Sequence, residues 1–315
     1  MQRGILGHSA IAVSRLCFGT LTAGPLQAGL SPQKAAEIFS HAISRGIDFF
    51  DTAQLYGTYE HLRLAMELSG KRDIIISSKT YAYSAELAEE AVEEARQKLN
   101  RDYIDIFMLH EQETVHTLRG HMPALERLIK YKSDGIIRAV GVSMHYVEAV
   151  REAARLGVDI IHPLMNVAGL GISDGSREEM ESAVRSAHER GIGVFAMKSL
   201  GGGNLFRDAE KCFDYIMNID YVDSFAVGMQ SIEEVDANIE YINTGRFSPE
   251  AKSRLDGKIR HLHIESWCEG CGACVERCGQ KALSIQRGHA VCDTARCLLC
   301  GYCAPVCDMW AIKVV

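Results

Sequence analysis

Between residues 16 and 245 the chain alternates, eight times over, a short apolar run with a longer segment of helical periodicity. The runs are RLCFG, GIDFFDTA, DIIISSK, YIDIFMLH, RAVGVSM, VDIIHPLMN, GVFAMKS and SFAVGM. Uninterrupted β-rich runs of this kind suit strands of a parallel sheet whose two faces are both buried. The intervening segments carry helix signals. In SAELAEEAVEEARQKLN, Ser84 is placed to cap, Glu86, Glu89 and Glu90 favour the early turns, and Leu87, Ala91, Ala95 and Leu99 share one face. Eight such units predict an α/β fold of the closed (β/α)8 TIM-barrel type rather than an open doubly wound sheet. No GxGxxG follows the first run, which counts against a Rossmann arrangement. The opening RGILGHSAIAVS reads as a hairpin capping the bottom of the barrel.

The alternation stops after about residue 245. SPEAKSRLDGKI reads as one helix with Ser248 as N-cap and Pro249 at its first position. The expected organisation is a barrel over 1–245, a helical linker over 246–262 and a small domain over 263–315. That last segment holds Cys268, Cys271, Cys274 and Cys278 at C-x2-C-x2-C-x3-C spacing, then Cys297, Cys300, Cys303 and Cys307 at the same spacing. The repeat is 29 residues long, and CGQKALSIQ after the first run is echoed by CDMWAIKVV after the second. A duplicated module this small lacks the core to fold on apolar burial and needs a metal staple.

Four thiolates at this spacing are the bacterial pattern for a 4Fe–4S cluster. A zinc ribbon normally separates two CxxC pairs by a longer loop, and the cysteines crowd too tightly for a simple ladder of disulfides. Gly270, Gly272, Ala273, Gly301 and Ala304 allow close backbone approach to the sulfides. Cys17, Cys212 and Cys292 lie outside the runs and read as packed residues. A net charge of −7 gives no nucleic-acid footprint, and no apolar stretch reaches membrane-spanning length. No signal peptide is apparent, so the expected compartment is the cytoplasm, where thiols stay reduced.

Three polar residues end successive runs: Asp51, Lys79 and His110, with Tyr56 in the loop after the first. Barrel active sites lie at the C-terminal ends of the strands, so these side chains are expected in one mouth. A lysine ammonium beside Tyr56 is expected to lower the phenol's pKa and make it a general acid, with Asp51 orienting Lys79. His110 is placed to hydrogen-bond a substrate oxygen. Singly, each has an ordinary role as cap, solvated end or packed residue; their order on adjacent units favours a site.

DTAQLYG, ISSK, DIFMLH, the GVS at 141–143 and the opening LGHSAIAVSRLCFGT resemble the aldo/keto reductase family over about residues 3–245. The resemblance implies a (β/α)8 barrel that reduces carbonyls with NAD(P)H. It makes Tyr56 the proton donor, Lys79 and Asp51 its tuning partners, and His110 the orienter. It also implies nucleotide contacts at Ser143, Asn166, Gly201, Gly202, Gly228 and Asn238. Met144, His162, Met197 and Ser199 stand where the family often has Asn, Gln, a ring-stacking Tyr and Pro. Ser231, Glu233 and Glu234 replace the basic residues that meet a 2′-phosphate, which favours NAD(H) over NADPH.

The tail resembles a two-cluster bacterial ferredoxin, in which the fourth cysteine of each run ligates the other cluster. That implies one cluster on Cys268, Cys271, Cys274 and Cys307, and another on Cys297, Cys300, Cys303 and Cys278. Gly279 and Asp308 stand where a proline is familiar.

The expected function is an iron–sulfur oxidoreductase acting on a small carbonyl or alcohol. Clusters pass single electrons and nicotinamide passes hydride, so a direct link between them calls for a converter such as a flavin at the barrel mouth, or a redox partner protein docked on the tail. The alternative is a non-catalytic electron-transfer subunit that uses the barrel as a docking scaffold. Pocket walls come from loops 112–122 and 168–175, which do not reveal the substrate.

Overall fold

The structure, a computed structural model, describes residues 1–256 and 258–315. Two short strands, β1 (Arg3–Leu6) and β2 (Ile11–Ser14), form an antiparallel hairpin. Eight parallel strands follow: β3 (Leu16–Gly19), β4 (Phe49–Asp51), β5 (Ile75–Thr80), β6 (Ile104–Gln112), β7 (Ile137–Met144), β8 (Ile160–Pro163), β9 (Gly193–Ala196) and β10 (Ser224–Gly228). They pair in chain order, and β10 closes on β3, with Phe225 opposite Leu16 and Gly228 opposite Gly19. Every one of the eight apolar runs supplies one barrel strand.

Closure makes two apolar compartments. Inside the barrel, Cys17, Phe49, Ile106, Met108, Ile160 and Phe195 pack against Leu6, Ile11 and Val13 of the hairpin. The hairpin therefore plugs the bottom, as its sequence suggested. Outside, the surrounding helices bury their apolar stripes on the strands. In the helix Ala85–Leu99, Ser84 accepts from the backbone N–H of Leu87 as its N-cap. Its buried stripe is Ala88, Ala91, Val92, Ala95 and Leu99. Leu87, expected on that face, is exposed, because the stripe lies one position along.

The helix Pro249–Asp256 begins at Ser248, whose hydroxyl accepts from Ala251 N–H at 3.1 Å. Beyond it lie β11 (Leu262–Ile264), β12 (Leu283–Gln286), β13 (His289–Cys292) and β14 (Ile312–Val314). β11 pairs antiparallel with β14, and β12 with β13. The 29-residue repeat is structural as well. Gly270 and Leu299, Gly272 and Gly301, and Lys281 and Trp310 occupy left-handed backbone in matched pairs.

This segment is joined to the barrel through the loop after β9. Val314 N–H donates to Gly202 O at 3.1 Å, and Asn204 Nδ2 donates to Ile312 O at 3.0 Å. Leu170, Leu205 and Phe206 of the barrel pack with Leu262, Trp310, Ile312 and Val314. Gly203 lies at φ 82°, and a Cβ there would stand 1.9 Å from Val314 O. Only glycine permits that approach. Gly203→Ala is therefore expected to release β14 from the barrel. Limited proteolysis should cut the variant near residue 260 while the wild-type chain resists, and a variant as resistant as wild type would contradict this account of the joint.

Candidate active site

The barrel mouth is built from strand ends. Lys79, near the end of β5, is 1% exposed and reaches across to Asp51 at the end of β4. Its Nζ donates to Asp51 Oδ2 at 2.8 Å and to Thr52 O at 2.8 Å. Although burial pushes the Asp51 carboxyl up, the charges of Lys79 and His162 hold it well below the usual carboxylate range. Asp51 is thus an anion that keeps a buried ammonium in place.

Tyr56 lies in a short 3-10 turn, Gln54–Tyr56, and points its hydroxyl at His110 Nε2, 3.4 Å away. The Lys79 ammonium sits 4.9 Å from the centre of the Tyr56 ring. All four expected residues therefore meet in one place. The electrostatics differ from the sequence expectation. Burial first, then the carboxylates of Asp51 and Glu111, raise the Tyr56 phenol well above its ordinary value. Lys79 faces the ring rather than the oxygen and spends its hydrogen bonds on Asp51 and Thr52. The phenol is accordingly a protonated donor across the neutral range. His110, pushed down to about 3 mainly by burial, is a neutral imidazole.

The Tyr56 loop is pinned from beneath. Thr58 Oγ1 lies 2.8 Å from Thr20 Oγ1 and 2.7 Å from Thr52 Oγ1, and all three residues are fully buried. Tyr81, just past β5, stacks on the His110 ring at 4.4 Å between centroids and donates to Glu111. Tyr81 is absent from the sequence-derived set, although its position two residues after Lys79 was a usable signal. Glu111, His145 and Lys198 also line the mouth. Glu111 and Lys198 hold left-handed backbone at φ 45° and 58°, a cost that no spacing pattern announces.

These groups open into one cavity of about 1250 Å³ that runs from Tyr56 and His110 to Trp267 and Trp310 of the tail. The expected nucleotide residues divide into two groups. Gly202, Gly228 and Asn238 line this cavity, with Gln230 and Glu234 beside the last two. The linker also brings Lys258 and Arg260 there, 3.1 and 3.7 Å from Glu234 Oε1. Basic residues missing from the region after β10 are thus supplied from farther along the chain, which weakens the sequence argument against a 2′-phosphate. These groups suit the adenosine half of a dinucleotide.

The nicotinamide half is less well served. Ser143 is fully buried, and its hydroxyl accepts the Glu111 N–H at 2.8 Å. Asn166 is spent on its own loop, donating to Leu170 O at 2.8 Å and accepting from Leu170 N–H at 2.9 Å. Neither side chain lines the cavity. Gly201 and Gly202 belong to the loop that carries the tail, and Gly202 O is taken by Val314. His162 is 2% exposed, stacks on Phe195, and hydrogen-bonds through Nδ1 to the Phe195 carbonyl at 2.6 Å.

None of the eleven cysteines is joined to another in a disulfide. Among the described residues no group of three or more His, Cys, Asp or Glu side chains converges as a site for a metal ion. The tail cysteines nevertheless gather in two neighbourhoods. Burial raises the Cys274 thiol, helped by Cys307, Cys268 and Cys271. Burial likewise pushes Cys303 up to about 12, with Cys274, Cys297 and Cys300 adding to it. Cys292, also pushed up to about 12 by burial, hydrogen-bonds Cys297 and feels Cys303 and Cys278. Backbone N–H groups of Ala282, Ala290 and Ala311 point at the sulfurs of Cys278, Cys268 and Cys307 at 3.3 to 3.5 Å.

The aldo/keto reductase family profile matches residues 15–213. A Glycine max aldo-keto reductase is 27% identical over 63% of this chain, which spans 59% of that protein's length. L-galactose dehydrogenase of Arabidopsis thaliana is 25% identical over 64% of this chain and 66% of its own. The holo form of an aldo-keto reductase from Bacillus halodurans superposes with a TM-score of 0.65 at 22% identity, covering 81% of this chain and 95% of that one. The chain belongs to the aldo/keto reductase family and is an oxidoreductase of that type.

The raised phenol and the neutral imidazole fix a pH response. A donor protonated throughout keeps carbonyl reduction flat between about pH 6 and 9. The reverse oxidation needs the phenolate, which a raised pKa makes scarcer, so its rate should climb across the same interval. Initial rates in both directions test this; a reduction rate that falls tenfold per pH unit from about pH 7 would contradict a raised Tyr56.

Proposed function

We propose that the protein interconverts a small carbonyl compound and its alcohol, with Tyr56 moving the proton, and that its electrons are exchanged through a nicotinamide, through two 4Fe–4S clusters in the tail, or through both. The observation that carries this reading is the single cavity lined at one end by Tyr56 and His110 and at the other by Asp308, Met309 and Trp310, which directly follow Cys307.

The substrate oxygen belongs between Tyr56 and His110. In reduction, Tyr56 donates its proton to the oxygen as charge develops there, while the neutral His110 orients the carbonyl. Asp51 holds the Lys79 ammonium against the phenol ring, 4.9 Å from its centre, and so fixes the position of the donor. Tyr81 and Glu111 hold the imidazole at the correct angle.

The thiol chemistry of the tail suits iron–sulfur ligation, with residues 263–315 as a ferredoxin-like domain beyond the barrel (1–245) and linker (246–262). Cys268, Cys271, Cys274 and Cys307 would hold one 4Fe–4S cluster, and Cys297, Cys300, Cys303 and Cys278 the other. The N–H groups aimed at the sulfurs favour negatively charged thiolates there. Bound clusters supply single electrons and bound nicotinamide supplies hydride. Gly228, Gln230, Asn238 and Arg260 would take the adenosine half of NAD(P)H. A redox partner protein, or a flavin in the cavity, would serve where the two kinds of electron carrier must meet.

The engaged state of Ser143 and Asn166 favours a second reading, in which the protein is a non-catalytic electron-transfer subunit that uses its barrel as a scaffold for docking a partner. Anaerobic purification with iron and sulfide quantitation tests the tail: about eight irons and eight sulfides per chain are expected. Two zinc ions without sulfide would sink the cluster assignment. Tyr56→Phe tests the barrel. Carbonyl turnover should fall by roughly 10²- to 10⁴-fold, the usual worth of a positioned acid. Unchanged turnover would leave the scaffold reading standing.

A further inference from the structure

The cavity wall between barrel and tail gathers positive charge that the catalytic tetrad does not use. Lys198, at the end of β9, is held in left-handed backbone and donates from Nζ to His145 Nε2 at 2.9 Å. Lys313, on β14, is 4% exposed and donates to the carbonyl of Trp310. Both line the cavity, and neither is in an ion pair among the described residues. Two further polar groups on the same wall lack partners there: the Trp310 indole N–H, on a residue 8% exposed, and the Ser199 hydroxyl, on a residue 1% exposed.

A buried donor without an acceptor is costly, and Lys198 and Lys313 feel the Glu111 and Glu265 carboxylates but are in ion-pair contact with neither among the described residues. Burial, then the charge of its neighbour Lys198, brings Lys313 well below its ordinary value; burial also lowers Lys198. The nearest carboxylates are committed elsewhere. Glu111 accepts from Tyr81 and lies 3.7 Å from His145, and Glu265 lies 3.3 Å from His263. The wall is also continuous with the chemistry, since Glu111 follows His110 directly and the Lys198 charge is felt at His110.

We propose that Lys198 and Lys313, with the Trp310 indole N–H and the Ser199 hydroxyl, form an anion subsite that takes a carboxylate or phosphate group carried by the carbonyl substrate. The tail would then complete the substrate pocket of the barrel: β14 supplies Lys313 and the turn after Cys307 supplies Trp310. The substrate class is an oxo acid or a phosphorylated hydroxy-ketone, with its carbonyl at Tyr56. The glycine loop 201–204 beside this wall is packed against β14, whose Val314 N–H donates to the Gly202 carbonyl.

The proposal rests on Tyr56 as the acid, so the test reads binding and not turnover. Calorimetric titration of the full cluster-loaded chain compares two matched pairs, 2-oxobutyrate with butanone and dihydroxyacetone phosphate with dihydroxyacetone. The tryptophans give a second readout, since the chain has only two and both Trp267 and Trp310 line the cavity. At least one anion should bind more tightly than its neutral partner, and Lys198→Met and Lys313→Met should each weaken it by roughly tenfold or more, as loss of a charge-assisted hydrogen bond does. Lys313→Arg should retain most of the affinity, with iron content confirming an intact tail. Anionic and neutral probes that bind alike would overturn the subsite, as would lysine variants that lose only inorganic pyrophosphate or NADH. Tyr56→Phe should weaken the anion and its neutral partner alike and so keep the preference between them, which lets the acid assignment and the subsite fail separately.

Discussion

The ion pair between Lys79 and Asp51 organises the barrel mouth. A lysine with 1% exposure survives in a protein interior only beside a fixed anion, and Asp51 at 2.8 Å is that anion. Removing one partner of such a pair typically costs about 3–5 kcal/mol, because the other charge is left buried alone. The pair also ties the end of β4 to β5, and the Tyr56 loop leaves from β4. The position and the field of the phenol therefore both follow from it. The Asp51 charge that stabilises Lys79 also helps raise Tyr56, so the site favours a protonated donor at the expense of an easily formed base.

The tail depends on a different constraint, the close approach of β14 to the loop after β9. Gly203 makes room for Val314, and Asn204 ties down Ile312. Gly201 and Gly202, which the family resemblance implies as nucleotide contacts, thereby belong to a joint between the barrel and the cysteine-rich segment. The consequence for chemistry is direct, because Trp310, three residues after Cys307, lines the cavity that contains Tyr56. The same contact decides which groups wall the mouth.

Much of this was legible in the sequence, and the reasons differ from feature to feature. The eight apolar runs announced the barrel because strands buried on both faces cannot hide their composition. Asp51, Lys79 and His110 could be placed in one mouth because the fold puts every strand end there, and the tetrad followed without side-chain coordinates. The pKa of Tyr56 could not be read. It depends on whether Lys79 meets the oxygen or the ring, a matter of a few ångströms that residue spacing does not encode. Asn166 shows the same limit: an amide near the right strand end turned back to satisfy its own loop. Lys258, Arg260, Lys313 and Trp310 join the cavity from segments distant in sequence, and only tertiary packing brings them there.

These late arrivals change what the barrel alone implies. A barrel mouth with the tetrad and an open glycine loop would bind a dinucleotide along its rim and leave the substrate pocket to loops 112–122 and 168–175. Here the rim is shared, with β14 over the loop and Lys313 beside Lys198. Two amines brought together by a packing contact are hard to charge at once, and an anion bound beside them would favour their charged forms. The joint is largely apolar, built from Leu170, Leu205 and Phe206 against Leu262, Trp310, Ile312 and Val314. Lys313 packs its stem against Gly202 and sits 4.1 Å from the centre of the Trp310 ring, so it serves the joint while its side chain also lines the cavity.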